Sequence, residues 1–349
     1  MIPLSTNLEG LRNDLCDVAR LFFGGRPAAA IEHCHEDRGD RWVERYAMGG
    51  ARFEYQAPAV RGGLAEMRML KRAAKTGLFL LLRRETGVSP PWGSLTGIRP
   101  TRLIYEFLEQ GNDLDAAAGA IEDTFFVARE KASLLRDIVE MQRGIRSAPA
   151  GQFDLYLGIP FCTTRCSYCS FASGELGDGR LVRPYLDALA REIDGAAQLA
   201  RENGLAVRAG YVGGGTPTAL TADQLGTLLD RAMDRFPGAS EWTVEAGRPD
   251  TIDRAKLRAM RARGVTRISV NPQTFSDQTL QRIGRAHAAG DAEDAFLLAR
   301  DEGFDDVNMD LIAALPGEDL ADFTHSIERT IALFPESVTV HTLAIKRAS

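Results

Sequence analysis

From Phe153 onward the chain alternates short apolar runs with longer amphipathic ones, and this rhythm constrains the fold more than any other feature. Strands are expected at 153–159, 206–212, 241–245, 266–270, 306–311 and 337–342. Helices are expected at 184–202, 221–235, 253–263, 276–283 with 289–302, and 319–333. A βα repeat of this kind pairs its strands in parallel through right-handed crossovers. Six strands suit an α/β fold, a partial (β/α)6 barrel of the TIM type. Sites in such folds gather at the C-terminal ends of the strands, so functional residues are to be sought just after each strand.

The 349 residues suggest about two domains. Residues 1–150 read as a separate α+β extension and 151–349 as the barrel, with the boundary at the linker Ser147-Ala148-Pro149-Ala150-Gly151. In the extension a helix over Leu8–Phe23 is closed by Gly24-Gly25 and Pro27, and a hairpin crosses Gly49-Gly50. A long helix follows over Leu64–Glu85, then the turn-rich Pro90–Pro100, a helix Arg102–Glu109 and a single helix over Glu122–Arg143. Arg68, Lys71, Arg72 and Lys75 share one helix face. That face is either solvated or a contact surface for an acidic substrate or partner. Cys16 and Cys34 are expected to be buried structural thiols.

The net charge of −6 argues against nucleic acid or an anionic membrane as partner. No apolar run reaches the roughly 18 residues of a spanning helix, and Met1–Ser5 lacks the basic and apolar regions of a signal peptide. Five cysteines make no disulfide framework, so a cytoplasmic location is expected. The chain ends at Ser349, just past the sixth strand, where a further helix and a covering segment would be expected.

The first barrel strand runs into Phe161-Cys162-Thr163-Thr164-Arg165-Cys166-Ser167-Tyr168-Cys169. Three cysteines spaced C-x3-C-x2-C on a loop can hold three corners of a [4Fe–4S] cluster and leave one iron open to a small molecule. Zinc is the alternative, but structural zinc takes four ligands. Here the nearest further candidates, Cys34 and His287, lie far away in sequence. After the second strand comes Gly213-Gly214-Gly215-Thr216-Pro217, where glycines let the backbone approach a ligand closely.

The triad followed by G-G-G-T-P resembles the radical S-adenosylmethionine (SAM) superfamily. The resemblance implies a [4Fe–4S] cluster on Cys162, Cys166 and Cys169, and SAM on the open iron, cleaved to a 5′-deoxyadenosyl radical. Further residues narrow the likeness: Asn271-Pro272-Gln273 after strand four, Arg285 in Ile283–His287, and Asp310 with Leu315-Pro316-Gly317. Together with Trp92–Thr101 they resemble the oxygen-independent coproporphyrinogen III oxidase (coproporphyrinogen dehydrogenase) family, in its HemZ-like branch. The resemblance implies a first SAM site at Tyr156, Tyr168, Gly214 and Glu245. A second SAM site is implied at Gly215, Thr216, Gln273, Arg285, Asp310 and Ala344. Arg248 and Asp250 follow Glu245 in the same loop. The implied function is oxidative decarboxylation of coproporphyrinogen III propionates to vinyls, giving protoporphyrinogen IX in haem biosynthesis. It would require a reductive electron donor such as flavodoxin or ferredoxin. Arg248, Arg285 and the Lys71–Arg72 face are candidates for the substrate's carboxylates. The better-studied family members carry a further cysteine two positions after the triad, where this chain has Phe171. A sister group acts as a haem chaperone, and a radical SAM enzyme on an unrelated substrate is a third reading.

Overall fold

The computed structural model describes residues 2–24, 26, 28–97 and 99–343. The chain divides into two compact units, Met1–Arg146 and Ser147–Ser349. Among the described residues no helix is long and apolar enough to cross a membrane.

The N-terminal unit is a four-stranded sheet with helices. Strand β1 (Leu4–Thr6), helix α1 (Arg12–Phe23), β2 (Ile31–Asp37), β3 (Arg41–Met48) and β4 (Ala51–Pro58) are followed by α2 (Gly63–Thr86), α3 (Pro100–Glu109), α4 (Leu114–Phe125) and α5 (Arg129–Met141). The strands run β1-β2-β3-β4, parallel at the first pair and antiparallel thereafter. Leu15, Val18 and Phe22 of α1 meet Leu78, Phe79 and Leu82 of α2 in one apolar cluster. Strand β2 was not expected, because Ile31-Glu32-His33-Cys34-His35-Glu36-Asp37 carries little apolar alternation. Its polar side chains are satisfied internally instead. Buried Glu44 faces His33 Nε2 and His35 Nδ1, each at 2.8 Å, and Thr6 Oγ1 lies 2.7 Å from His33 Nδ1.

Two expectations here are corrected. The single helix over 122–143 is two helices, broken at Phe126, a non-glycine residue in the left-handed region (φ 58°). No glycine or proline announces that break. Packing supports it: Phe126 stacks on Phe79 at 5.8 Å with Arg83 close to both rings, and the 91–94 segment bonds the break through Ala128 N to Pro91 O and Ser94 N to Phe125 O. A Cβ on Gly93 would lie 2.0 Å from Phe125 O, so only glycine fits there. Cys34 is exposed rather than buried; Cys16 is half-buried against the apolar cluster. Gly25 and Pro27, expected to close α1, lie outside the described residues.

The C-terminal unit is a curled parallel sheet with helices on its outer face. Its elements are β5 (Gln152–Ile159), the short pair β6 (Phe161–Cys162) and β7 (Gly174–Glu175), α6 (Val182–Glu202), β8 (Ala206–Gly214), α7 (Ala222–Arg235), β9 (Glu241–Gly247), α8 (Arg254–Arg261), β10 (Arg267–Gln273), α9 (Asp277–Arg282), α10 (Ala289–Asp301), β11 (Asp306–Ala313), α11 (Leu320–Ala332) and β12 (Ser337–Thr342). The large sheet runs β12-β11-β10-β9-β8-β5, every pair parallel. This is the expected partial barrel of six strands.

Parallel sheets are usually apolar on both faces, and here only one face is. Val212, Val244, Ile268, Val270, Val307 and Met309 point outward into a core shared with Leu189, Ile193, Leu225, Leu257 and Phe296 of the helices. Between them the strands place Tyr211, Glu245, Ser269, Asn271, Asn308, Asp310, Thr339 and His341, which line the concave side. Period-two alternation thus assigns one face to stability and leaves the other as a polar lumen.

Candidate active site

The lumen opens into a cavity of about 520 Å³ at the C-terminal ends of the strands, within the range of small-molecule sites. The cysteine loop forms one wall. Strand β5 ends at Ile159, and the chain turns through Pro160 into Cys162. The loop is fixed by its own backbone and by its neighbours. Leu176 N donates to Cys162 O (2.7 Å), Cys169 N to Cys166 O (3.1 Å), Thr216 N to Phe161 O (2.7 Å) and Ser167 N to Ile283 O (3.0 Å). Cys162, Cys166 and Cys169 are free thiols, half-buried, and all three line the cavity. Among the described residues no three His, Cys, Asp or Glu side chains converge to hold a single metal ion. All three thiols face one cavity, as the three protein ligands of a cubane would. His287, the histidine weighed for zinc, is buried with Nδ1 3.8 Å from Asp250 Oδ1.

The glycine run explains itself at two positions. Gly214 adopts φ 111° and donates its N–H to Glu245 Oε2 at 3.3 Å. A Cβ on Gly215 would stand 2.6 Å from Phe161 O and 3.0 Å from Cys162 Sγ, so the backbone passes close beside the first cysteine. Thr216 Oγ1 lies 3.5 Å from that sulfur and donates to it. That contact fixes the first cysteine's sulfur against the glycine-rich turn.

Glu245 is held from two sides, by Gly214 N and by the Tyr211 hydroxyl, which donates to Oε1 at 2.6 Å. Burial pushes the Glu245 carboxyl up, partly opposed by these two donors. Tyr211, which sequence reasoning missed, has its own hydroxyl pushed far up by burial and by the carboxylate it serves. Tyr156 stacks on Tyr211 at 5.8 Å, is 59% exposed and is not among the residues that line the cavity. Tyr168 lies deeper: its ring packs on Leu280, Ile283, Ile312 and Leu315, and burial pushes its hydroxyl up to about 12.

Arg285 comes from the loop after α9 and is buried. Nη1 donates to Asn271 O at 2.9 Å and Nη2 to Tyr168 Oη at 3.3 Å, leaving Nε without a partner. Gln273 ends β10 at φ 68°, behind Pro272, where the register with β11 shifts. Proline cannot donate to the ladder, and the strained residue after it is buried with Oε1 unsatisfied. Ser269 Oγ and Asn271 Oδ1 on the same wall are also unsatisfied. Buried polar atoms without partners cost stability. Four of them around one cavity fit a ligand rich in hydrogen-bonding groups, as SAM is. Asp310 accepts from Asn308 Nδ2 at 2.6 Å, and Asn308 Oδ1 accepts from Ser337 and Thr339 of β12. Ala344 lies outside the described residues.

Arg248 is 3% exposed and ties two loops together. Nη1 donates to Thr164 O (2.9 Å) and Oγ1 (2.8 Å), and Nε donates to Asp250 Oδ1 (3.0 Å). Asp250 in turn accepts from Thr163 at 3.2 Å. The structure thus brings the cysteines, Tyr168, Gly214, Gly215, Thr216, Glu245, Arg248, Gln273, Arg285 and Asp310 to one cavity. Lys71 and Arg72 belong to a separate cavity of the N-terminal unit. Asn308 and Thr339 escaped the sequence reading, and Ser269 and Asn271 were given no site role there, although strict alternation in Arg267–Gln273, Asp306–Ala313 and Ser337–Thr342 carried their signal.

Comparison with known proteins agrees with this geometry. The oxygen-independent coproporphyrinogen-III oxidase-like protein HemZ of Bacillus subtilis is 39% identical over 278 residues, 77% of this chain and 55% of that protein. The haem chaperone HemW of the same organism is 36% identical over 194 residues, 55% of this chain and 50% of its own length. The coproporphyrinogen III oxidase HemN of Escherichia coli, a radical SAM enzyme, superimposes with a TM-score of 0.52 at 29% identity, covering 58% of this chain and 47% of that one. The chain spans about half the length of the curated relatives it matches. The Radical SAM superfamily model matches residues 156–330, from the strand before the cysteines to the last barrel helix. With that match and the cysteine-walled lumen it covers, the chain belongs to the radical SAM superfamily, whose members use a [4Fe–4S] cluster and SAM.

Proposed function

We propose that the chain catalyses oxidative decarboxylation of coproporphyrinogen III propionates to vinyl groups. The observation that carries the reading is the extent of the HemZ likeness. At 77% of the chain it exceeds the barrel unit, so it reaches into the N-terminal unit that a bare radical SAM core lacks. Each propionate would lose one hydrogen atom, CO2 and one electron, the electron passing to an acceptor. No carboxylate or imidazole can start this, because the carbon–hydrogen bond β to the carboxylate has no useful acidity. When bound, the cluster and SAM supply a 5′-deoxyadenosyl radical able to take that hydrogen.

The chain's own residues bind and orient. Cys162, Cys166 and Cys169 would hold the cluster, with the Thr216 hydroxyl bonded to the first sulfur. Glu245, presented by Tyr211 and Gly214, would accept from the vicinal hydroxyls of a ribose, and Tyr156 and Tyr168 would flank the first SAM. Gly215, Thr216, Gln273, Arg285, Asp310 and Ala344 are proposed around a second SAM. The buried Arg285 guanidinium would take a carboxylate and Asp310 an ammonium. Arg248 would position the cysteine loop through Thr164.

A second reading, haem binding and transfer, is favoured by two observations: the likeness to haem chaperones, and Phe171, which stands 70% exposed at the cavity mouth. Anaerobic incubation of the reconstituted chain with SAM, reductant and coproporphyrinogen III separates the two. Vinyl products accompanied by 5′-deoxyadenosine support the decarboxylase. Stoichiometric haem binding with no product supports the chaperone and overturns the first proposal.

A further inference from the structure

The N-terminal unit has a cavity of its own, of about 460 Å³, lined by α2, α3, residues 94–97 and Arg99. Among the described residues Arg68, Lys71, Arg72, Lys75, Arg99 and Arg102 line it, against the single carboxylate of Glu106. That carboxylate is already shared, lying 3.6 Å from Arg68 and 3.2 Å from Arg102. Lys71 is paired with Asp14 at 2.5 Å. The remaining three cations have no carboxylate within salt-bridge distance among the described residues. Lys75 Nζ reaches only the Thr96 carbonyl, at 3.3 Å, and Arg72 lies over the Phe125 ring at 4.6 Å. Burial pulls both the Lys75 ammonium and the Arg72 guanidinium down. Two half-buried cations, Arg72 and Lys75, and the exposed Arg99 thus share one cavity without counter-charge, an arrangement that costs stability. The fold nevertheless fixes this place: Gly93 and Ser94 lock against the break at Phe125–Phe126 and so set the start of the segment that carries Leu95 and Thr96. Leu95, Leu103 and Phe125 add an apolar wall.

We propose that this cavity is a second ligand site, for a small molecule that carries two or more oxyanion groups on a partly apolar body. Guanidinium forks grip phosphate and carboxylate oxygens alike, so the groups are phosphoryl or carboxyl. Arg72, Lys75 and Arg99 hold them, while Leu95, Leu103 and Phe125 cover the apolar part. The site needs neither the cluster nor SAM.

The test is isothermal titration calorimetry on the full chain at low and moderate salt, with three probes. ATP represents the phosphoryl source, coproporphyrin III the carboxyl source, and acetate the singly charged control. Saturable binding of ATP or of the porphyrin is expected, with the tighter probe naming the source. Arg99→Gln, an exposed change that spares the fold, and Lys75→Met should each weaken that binding at least tenfold. Each should also reduce the rise in melting temperature that the ligand produces. Repeating the titration with Cys162→Ala, which removes a cluster ligand, should leave affinity unchanged, and so separates this site from the barrel cavity. If neither probe binds more tightly than acetate, or if Arg99→Gln and Lys75→Met leave the affinity within twofold, the proposal is wrong.

Discussion

Replacing Arg248 by Met should uncouple the cysteine loop from the barrel. Methionine keeps the length and apolar bulk of the stem and removes only the guanidinium. Two charge-assisted hydrogen bonds to Thr164 disappear, of a kind worth about 1.5–3 kcal/mol each. Asp250 also loses its guanidinium partner and keeps the Thr163 hydroxyl at 3.2 Å and the His287 ring at 3.8 Å. Breaking a buried pair from one side costs about 3–5 kcal/mol. These losses share partners and do not add, so the whole effect should be about 3–5 kcal/mol. Urea unfolding of the cluster-free chain, followed by circular dichroism, should show the transition of the barrel unit shifted down by roughly 1–2 M. Iron retained after anaerobic reconstitution should fall with it. Adding Asp250→Asn should restore part of the stability, because the stranded charge is removed. A variant that unfolds within about 1 kcal/mol of the parent and reconstitutes fully would refute the claim that Arg248 braces the loop.

Changing Gly215 to Val should abolish cluster assembly, read from iron content, because a Cβ there falls 2.6 Å from Phe161 O and 3.0 Å from Cys162 Sγ; the overpacking should cost about 1–3 kcal/mol. Glu245→Gln should raise the melting temperature at neutral pH, since burial pushes the carboxyl's titration up and so penalises its charged form in the fold. For such a group the parent regains the lost stability as pH falls through the raised value, so the difference between variant and parent should shrink on acidification; a constant difference would argue against this cause. The same substitution should weaken SAM binding measured by equilibrium dialysis. Phe296→Ala, in the core behind the barrel sheet, should cost about 3–5 kcal/mol in denaturant unfolding while leaving the lumen residues in place.

The barrel was legible because its strands announce themselves twice, by apolar outward residues and by short turn signals. The observed strand β10 differs from the expected one chiefly by its extension to Gln273. The cysteine loop was legible by spacing alone. What stayed hidden depends on partners distant in the chain. Tyr211 matters because Glu245 is its acceptor, and Arg248 because Thr164 is, 84 positions earlier. Strand β2 was hidden because Glu44 on the next strand satisfies its histidines, so polarity reads as loop when it is a buried network. The break at Phe126 was hidden because aromatic stacking and the Pro91–Ser94 segment, rather than a glycine, stabilise its left-handed backbone.

The separation of the barrel sheet into an apolar outer face and a polar lumen bears on how such a chain can change. Exchanging Ser269, Asn271 or Thr339 for another small polar residue alters what the lumen donates and accepts, yet opens no hole among Val244, Ile268 and Val307. Mutational drift in substrate preference therefore need not pass through unstable intermediates. One frame can be re-lettered for successive substrates, while selection on folding acts on a different set of positions along the same strands.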